Sequence, residues 1–270
     1  MHSVFVTGLL PWIDARRLLG PGEWTFEART ARTELVTHAA ADLAARLHNV
    51  ALGGSPITAE FRPALPRPAV RAARTTDARR RRDTSPGFTR PGVRLDEEGR
   101  FSLTPEALAL ELGRRFSGRL VVDATAGAGG NSIGFARGGC RVVAIEQSAA
   151  RLADARHNAR VYGVEGAIEF LHGDALALAP KRAHEDAILF LDPPWGVDWP
   201  RAGLGVADLP LLDAALRAGI DRGYHTLVLK LPPSFRASEL DGGRPEAVYG
   251  FAPGDTRRVK FLLVTRPALR

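Results

Sequence analysis

From Leu103 onward, short apolar runs recur between stretches of helical character, and this alternation constrains the fold more than any other feature of the chain. The runs lie at 120–123, 141–145, 168–171, 187–191 and 226–231. Most residues in them are apolar on both faces of an extended chain, 187–191 throughout, so the runs need cover on both sides, and helical stretches such as 148–162 and 209–219 supply it. The expected architecture is therefore α/β, a mostly parallel sheet with helices on both sides. A helix is expected to open at Thr104-Pro105-Glu106 and run to about Phe116, with Thr104 as N-cap and Pro105 at the first helical position. The segments 246–251 and 259–265, joined by a turn at 252–255, read as a terminal antiparallel hairpin that completes a seven-stranded sheet.

The chain before that region has a different character. Strands are expected at 3–7, 24–28 and 58–62, and an Ala/Leu-rich amphipathic helix at 32–49, ended by Gly53-Gly54. From Pro66 a basic helix follows, with Arg67, Arg71 and Arg74 on one face and Arg79–Arg82 at its end. Residues 83–94 are turn chemistry, a linker or docking loop. The division expected is a small basic α+β domain over 1–90 and a larger α/β domain over 91–270. Charge follows the same boundary. Residues 1–94 hold 15 arginines against 8 carboxylates, whereas 95–270 hold 22 basic and 22 acidic groups, so the net +7 lies in the first third. An arginine-rich appendage beside a neutral domain is the pattern of a polyanion binder. The single cysteine, Cys140, excludes an internal disulfide or a cysteine-rich zinc site, and no apolar run approaches the roughly 20 residues that cross a bilayer. A cytoplasmic protein without metal or membrane attachment is expected.

The ends of the strands carry the chemistry. The first is followed by Asp123 and a loop with Gly127, Gly129 and Gly130, where a ligand can approach the backbone. The second ends in Glu146, roughly 20 residues on, where a carboxylate accepts bonds from both ribose hydroxyls. A dehydrogenase fits that spacing too, but the glycines depart from G-x-G-x-x-G. The third strand leads to Asp174, placed to accept from an adenine amino group. Three successive acids at one sheet edge make a nucleoside pocket, and S-adenosyl-L-methionine needs no pyrophosphate loop. The fourth strand ends in Asp192-Pro193-Pro194-Trp195. An exocyclic base amine is a poor nucleophile because its lone pair is delocalised into the ring. Asp192 and the Pro193 carbonyl can accept from that NH₂ and favour pyramidal nitrogen, Pro194 stiffens the loop, and Trp195 offers a stacking face. Lys230, after the fifth strand, is a candidate substrate contact.

With these residues in place the sequence resembles the trimethylguanosine synthase group, the RNA cap guanine 2-amino methyltransferases. The likeness runs from about Gly92 to Phe251 and rests on GVRLDEEGRFSLTPEALA (92–109), VVDATAGAGGNSIGFA (121–136), VVAIEQS (142–148), ARHNARVYGV (155–164), IEFLHGDAL (168–176) and LDPPWG (191–196). It implies a Rossmann-like class I methyltransferase with the FSLTPE segment (101–106) against the cofactor and Trp195 on the guanine. The implied cofactor set is Ser102, Thr104, Pro105, Asp123, Thr125, Gly127, Gly129, Asn131, Glu146, Asp174 and Asp192. Asp192 stands where the cap enzymes usually carry serine, and Arg100 where they carry an aromatic residue. The Asp-Pro-Pro-aromatic pattern is shared with adenine amino methyltransferases. Three readings follow: methylation of a base amino group, guanine in RNA before adenine in RNA or DNA; methylation of a small molecule or protein amide; or a catalytically silent nucleic-acid-binding subunit.

Overall fold

The computed structural model describes residues 1–196 and 203–268. The N-terminal part is built on β1 (His2–Thr7), β2 (Thr25–Glu27), β3 (Thr30–Leu35), the short hairpin β4 (Ala51–Leu52) and β5 (Ser55–Pro56), and β6 (Thr58–Arg62). Four of these form an antiparallel sheet in the order β2-β3-β1-β6. Val4 and Val6 of β1 are buried against Ala40 and Leu43 of the helix α2 (Thr37–Arg46), while Ser3 and Phe5 face out. A one-turn helix, α1 (Ala15–Leu19), is capped by the Asp14 side chain.

The expected helix over 32–49 is only partly present, because its first residues belong to β3. Ala31, Thr33 and Leu35 are buried while Arg32 and Glu34 are exposed, a period of two that suits a strand and not a helix. With β1 beside it to pair with, this alternation prevails over the helical composition of the stretch, and helix starts only at Thr37. The basic helix is present as α3 (Arg67–Arg80). It lays Ala73 against Ala41 and Ala45 of α2 and leaves Arg67, Arg71, Arg74 and Arg79 exposed.

The larger sheet has seven strands: β7 (Leu120–Asp123), β8 (Arg141–Glu146), β9 (Ile168–His172), β10 (Ile188–Leu191), β11 (Thr226–Leu231), β12 (Arg244–Tyr249) and β13 (Val259–Pro267). Their order is β12-β13-β11-β10-β7-β8-β9, with the first five in chain order parallel and β13 antiparallel to both neighbours. The chain moves outward from β7 through β8 to β9, then crosses back to lay β10 on the other flank of β7. That reversal opens a crevice at the carboxyl ends of β7 and β10, where open α/β sheets bind ligands. The flanking helices are α4 (Glu97–Ser102), α5 (Glu106–Arg115), α6 (Gly130–Arg137), α7 (Ala149–Tyr162), α8 (Ala175–Leu178) and α9 (Pro210–Ala218). None of the described helices is long and apolar enough to cross a membrane.

The N-terminal part sits on the carboxyl edge of this sheet. Leu231, the last residue of β11, pairs with Leu262, and Tyr249 pairs with Val259, so the loop 250–258 turns at the same edge as Asp192. Arg17 donates to the carbonyls of Thr256 and Gly250, each at 2.8 Å, and the Tyr249 hydroxyl donates to the Asp14 carbonyl at 3.0 Å. Asp77 of α3 pairs with Arg258, and the Gly53 amide donates to the Pro233 carbonyl at 2.9 Å. Buried apolar residues run without a break from Val4 through Leu189 and Leu229 to Val264.

Candidate active site

The glycine loop leaves β7 and enters α6 through Gly129, whose left-handed φ of 92° makes it the N-cap. A Cβ there would lie 3.2 Å from Ala155, so glycine also permits α7 to pack closely behind the loop. Asn158 on α7 fixes the loop from the other side. Fully buried, it donates to the Ala128 carbonyl at 2.9 Å and clasps Arg94 by accepting from its amide and donating to its carbonyl. Asn158 lies in the ARHNARVYGV stretch that carries the resemblance, but in sequence it has no assigned role; its signal is a polar residue on the inward face of an otherwise apolar helix stripe.

Asp123 was expected at the cofactor, but it is fully buried beneath the loop. It accepts from the Ser132 hydroxyl at 2.6 Å and the Thr125 amide at 3.3 Å, so its carboxylate holds the turn of the loop. Burial pushes its pKa up to about 7, the Ser132 and Thr125 bonds pull it down, and the charges of Asp192 and Glu146 add to the rise. Glu146 at the end of β8 accepts from the Gly127 amide at 2.9 Å and the Ser148 amide at 2.8 Å, tying the two loops together at the crevice. Asp174 is exposed and caps α8 by accepting from the Leu176 amide.

The 101–106 segment covers the start of α6. Leu103 presses on Gly130 so closely that a Cβ on the glycine would lie 2.4 Å from its Cδ1. Ser102 ends α4 exposed, whereas Thr104 and Pro105 are buried. Thr104 is not the N-cap of α5. That place falls to Pro105, and the amide of Glu106 is taken by the Pro86 carbonyl at 3.0 Å, so the incoming 83–94 segment supplies the partner the threonine was expected to provide. Glu106 in turn accepts from the Thr89 amide and hydroxyl, the Tyr162 hydroxyl and Arg137, which hold its pKa down near 2 against the cost of burial.

At the crevice itself, Asp192 is locked by three neighbours. Its amide donates to the Thr125 hydroxyl at 2.8 Å, and its Oδ2 accepts from Lys230 Nζ at 2.6 Å and from Asn131 Nδ2 at 3.1 Å. Lys230, expected to meet substrate, is 4% exposed and spends its charge here. Its ammonium also lies 4.8 Å from the Trp195 ring centroid and 5.5 Å from that of Phe261. The reason is topological: β10 and β11 are parallel neighbours, so their ends are adjacent and Lys230 sits next to the residue that follows β10. Burial raises the Asp192 pKa, opposed by the charge and hydrogen bond of Lys230 and the bond from Asn131. Pro193 is buried and Pro194 exposed. Among the described residues, Thr104 Oγ1, Asn131 Oδ1 and Trp195 Nε1 are buried without a hydrogen-bond partner, and all three belong to the expected site.

Residues 118–202 match the family of RNA cap guanine-N2 methyltransferases. A trimethylguanosine synthase from Schizosaccharomyces pombe is 34% identical over 113 residues, which cover 39% of this chain and 47% of that protein, so the match spans about half of the relative's length. A methyltransferase structure from Porphyromonas gingivalis superimposes with a TM-score of 0.51 at 20% identity, over 84% of this chain and 57% of that one, and shows the fold. An RNA methyltransferase from Salinibacter ruber in complex with S-adenosyl-L-homocysteine aligns at 20% identity and a TM-score of 0.43, over 61% of this chain and 92% of that one. The resemblance drawn from the strand-end motifs agrees with these matches: residues 118–202 of the α/β domain are similar to the RNA cap guanine-N2 methyltransferase family.

Proposed function

We propose that this protein transfers a methyl group from S-adenosyl-L-methionine to the exocyclic 2-amino group of guanine in RNA. The observation that carries the reading is the Asp192-Pro193-Pro194-Trp195 loop at the sheet's switch point, with its carboxylate anchored on one oxygen by Lys230 and Asn131. The residues around the glycine loop fit the cofactor. Gly127 faces open space where a Cβ would meet nothing within 4 Å, and Asn131 Oδ1 and Thr104 Oγ1 supply buried polar atoms that lack partners. Glu146 would take the ribose hydroxyls and Asp174 the adenine, with Thr125, Gly129, Ser102 and Pro105 completing the walls. When bound, the cofactor supplies an electrophilic methyl group on a sulfonium.

The protein's own contribution is orientation and charge. Trp195 provides the face on which the base stacks, and its unpartnered Nε1 is a donor within the same wall. Asp192 and the Pro193 carbonyl accept the two amine hydrogens and draw electron density onto nitrogen, an interaction that strengthens as the bond to carbon forms. Burial lifts the Asp192 pKa, which makes it a better acceptor for the proton the amine must lose than a carboxylate in water. Residues 1–90 act as an accessory domain that holds RNA, with the exposed arginines of α3 as phosphate contacts. The compartment proposed is the cytoplasm.

The test is incubation of the purified protein with labelled cofactor and total RNA, followed by nucleoside mass spectrometry. N2-methylguanosine formed by the wild type and lost in Asp192→Ala, with S-adenosyl-L-homocysteine binding retained, is the expected result. N6-methyladenosine would move the reading to adenine, which the aspartate in place of the cap enzymes' serine favours. Full activity of Asp192→Ala would remove the loop from the chemistry.

A further inference from the structure

Where α1 and the turn after it meet the loop between β12 and β13, they frame a cleft of about 520 Å3. Its walls are Arg16, Arg17, Trp24, Thr256, Arg257 and the turn 20–22, three guanidinium groups and no carboxylate. Each guanidinium is held in place. Arg16 stacks on Phe26 with 5.0 Å from its carbon to the ring centroid, and Arg17 on Tyr249 with 4.8 Å while it also donates to two carbonyls. Arg257 lies across Gly20, whose φ is +84°, so tightly that a Cβ on the glycine would be 2.7 Å from its Nη1. Among the described residues neither Arg16 nor Arg257 has an ion pair, although both are exposed and the chain forms many elsewhere. Nearby Arg46, which donates to the carbonyls of Leu18 and Leu19, has its pKa lowered to about 10, chiefly by burial and next by the charge of Arg257.

Unpaired, pre-oriented guanidinium groups around an acid-free cleft suit an oxyanion with several acceptor oxygens. The cleft opens at the carboxyl edge of the sheet, because the 250–258 loop turns there. From the end of β10 to that loop the sheet steps over β11 and β13 to β12, three strand spacings or roughly 15 Å. A single strand bridges that distance with a few nucleotides. We propose that this cleft binds a backbone phosphate of the nucleic-acid strand whose base is methylated, a few nucleotides from the base on Trp195. The inference rests on the methyltransferase reading above and adds to it a second, sequence-independent contact that sets the register of the strand.

The test is anisotropy of a labelled single-stranded RNA of about ten nucleotides, measured between about 50 and 200 mM salt, where each phosphate contact adds ~0.7 to the slope of log affinity against log salt. Arg16→Ala and Arg257→Ala should each flatten the slope by ~0.7, and Arg257→Lys should restore it, since the charge returns. The melting temperature of each variant, both positions being exposed, verifies folding. Inorganic phosphate is titrated in parallel. Phosphate binding that both alanine variants abolish, with the RNA slope unchanged, would assign the cleft to a free anion and overturn the proposal. An unchanged slope without phosphate binding overturns it as well. If the wild type methylates RNA and the slopes do not move, the cleft alone fails; if no methyl reaches RNA in the wild type, the functional reading fails whatever the slopes show.

Discussion

Replacing Lys230 by methionine removes the ammonium from Asp192 while keeping most of the side chain's volume between Trp195 and Phe261. Breaking a buried ion pair by deleting one partner costs about 3–5 kcal/mol, because the remaining charge stays desolvated. The Asp192 side chain is 14% exposed and keeps its bond from Asn131, which places this case at the lower end, ~3 kcal/mol. At about 2–4 °C per kcal/mol for a chain of this size, the melting temperature should fall by roughly 6–12 °C near neutral pH. The loss should depend on pH in a defined direction. The Asp192 pKa is already raised by burial, and the variant lacks two of the three influences that lower it. A carboxyl whose folded pKa lies above its unfolded value contributes stability at low pH that is lost as pH rises through the folded value. The deficit against wild type should therefore be small at about pH 5 and largest at about pH 8. The ammonium–indole contact, worth ~1 kcal/mol, contributes a part that does not vary with pH. Calorimetric melting from pH 5 to 8 measures both parts, and the acidic limb of methyl transfer should move to higher pH in step. A Lys230→Met protein with an unchanged melting temperature, or with the same deficit at every pH, would refute the argument. Adding Asp192→Ser to Lys230→Met should recover much of the loss, since no buried charge then remains.

Other outcomes follow from single groups. Asp123→Asn should flatten the stability profile between about pH 4 and 7, because the wild-type carboxyl, lifted to about 7, makes the fold lose stability as pH rises through that window; chemical denaturation at several pH values measures it. Asn158→Ala strands the Ala128 carbonyl and both main-chain groups of Arg94, so it should cost ~2–3 kcal/mol and weaken S-adenosyl-L-homocysteine binding through the glycine loop, read by calorimetric titration. Glu146→Ala should weaken that binding by ~1.5–3 kcal/mol while leaving RNA affinity unchanged. Trp195→Ala should raise KM and lower kcat together, since a base held less firmly is also aligned less well.

The arrangement of the α/β domain was legible in the residues because its signals are local. Runs such as 187–191 are apolar on both faces, which requires cover on both sides, and each acid at a strand end falls at the carboxyl edge once the strands are parallel. The glycine loop, Glu146 and the Asp192-Pro193-Pro194-Trp195 turn could therefore be assigned to one crevice from their places in the chain. Tertiary structure decided which polar groups meet. Lys230 follows Asp192 by 38 residues and pairs with it only because β10 and β11 lie side by side. Asp123 looks like its neighbours Glu146 and Asp174 in sequence, yet packing buries it under the loop it shapes. Thr104 has the residue type of an N-cap, but the segment at Pro86 arrives first at the helix's free amide. The strand at Thr30–Leu35 took its form from a partner strand far away in the chain. Local propensity and periodicity fix the elements and their buried faces, whereas contacts across tens of residues depend on the register and docking of elements that no local pattern encodes.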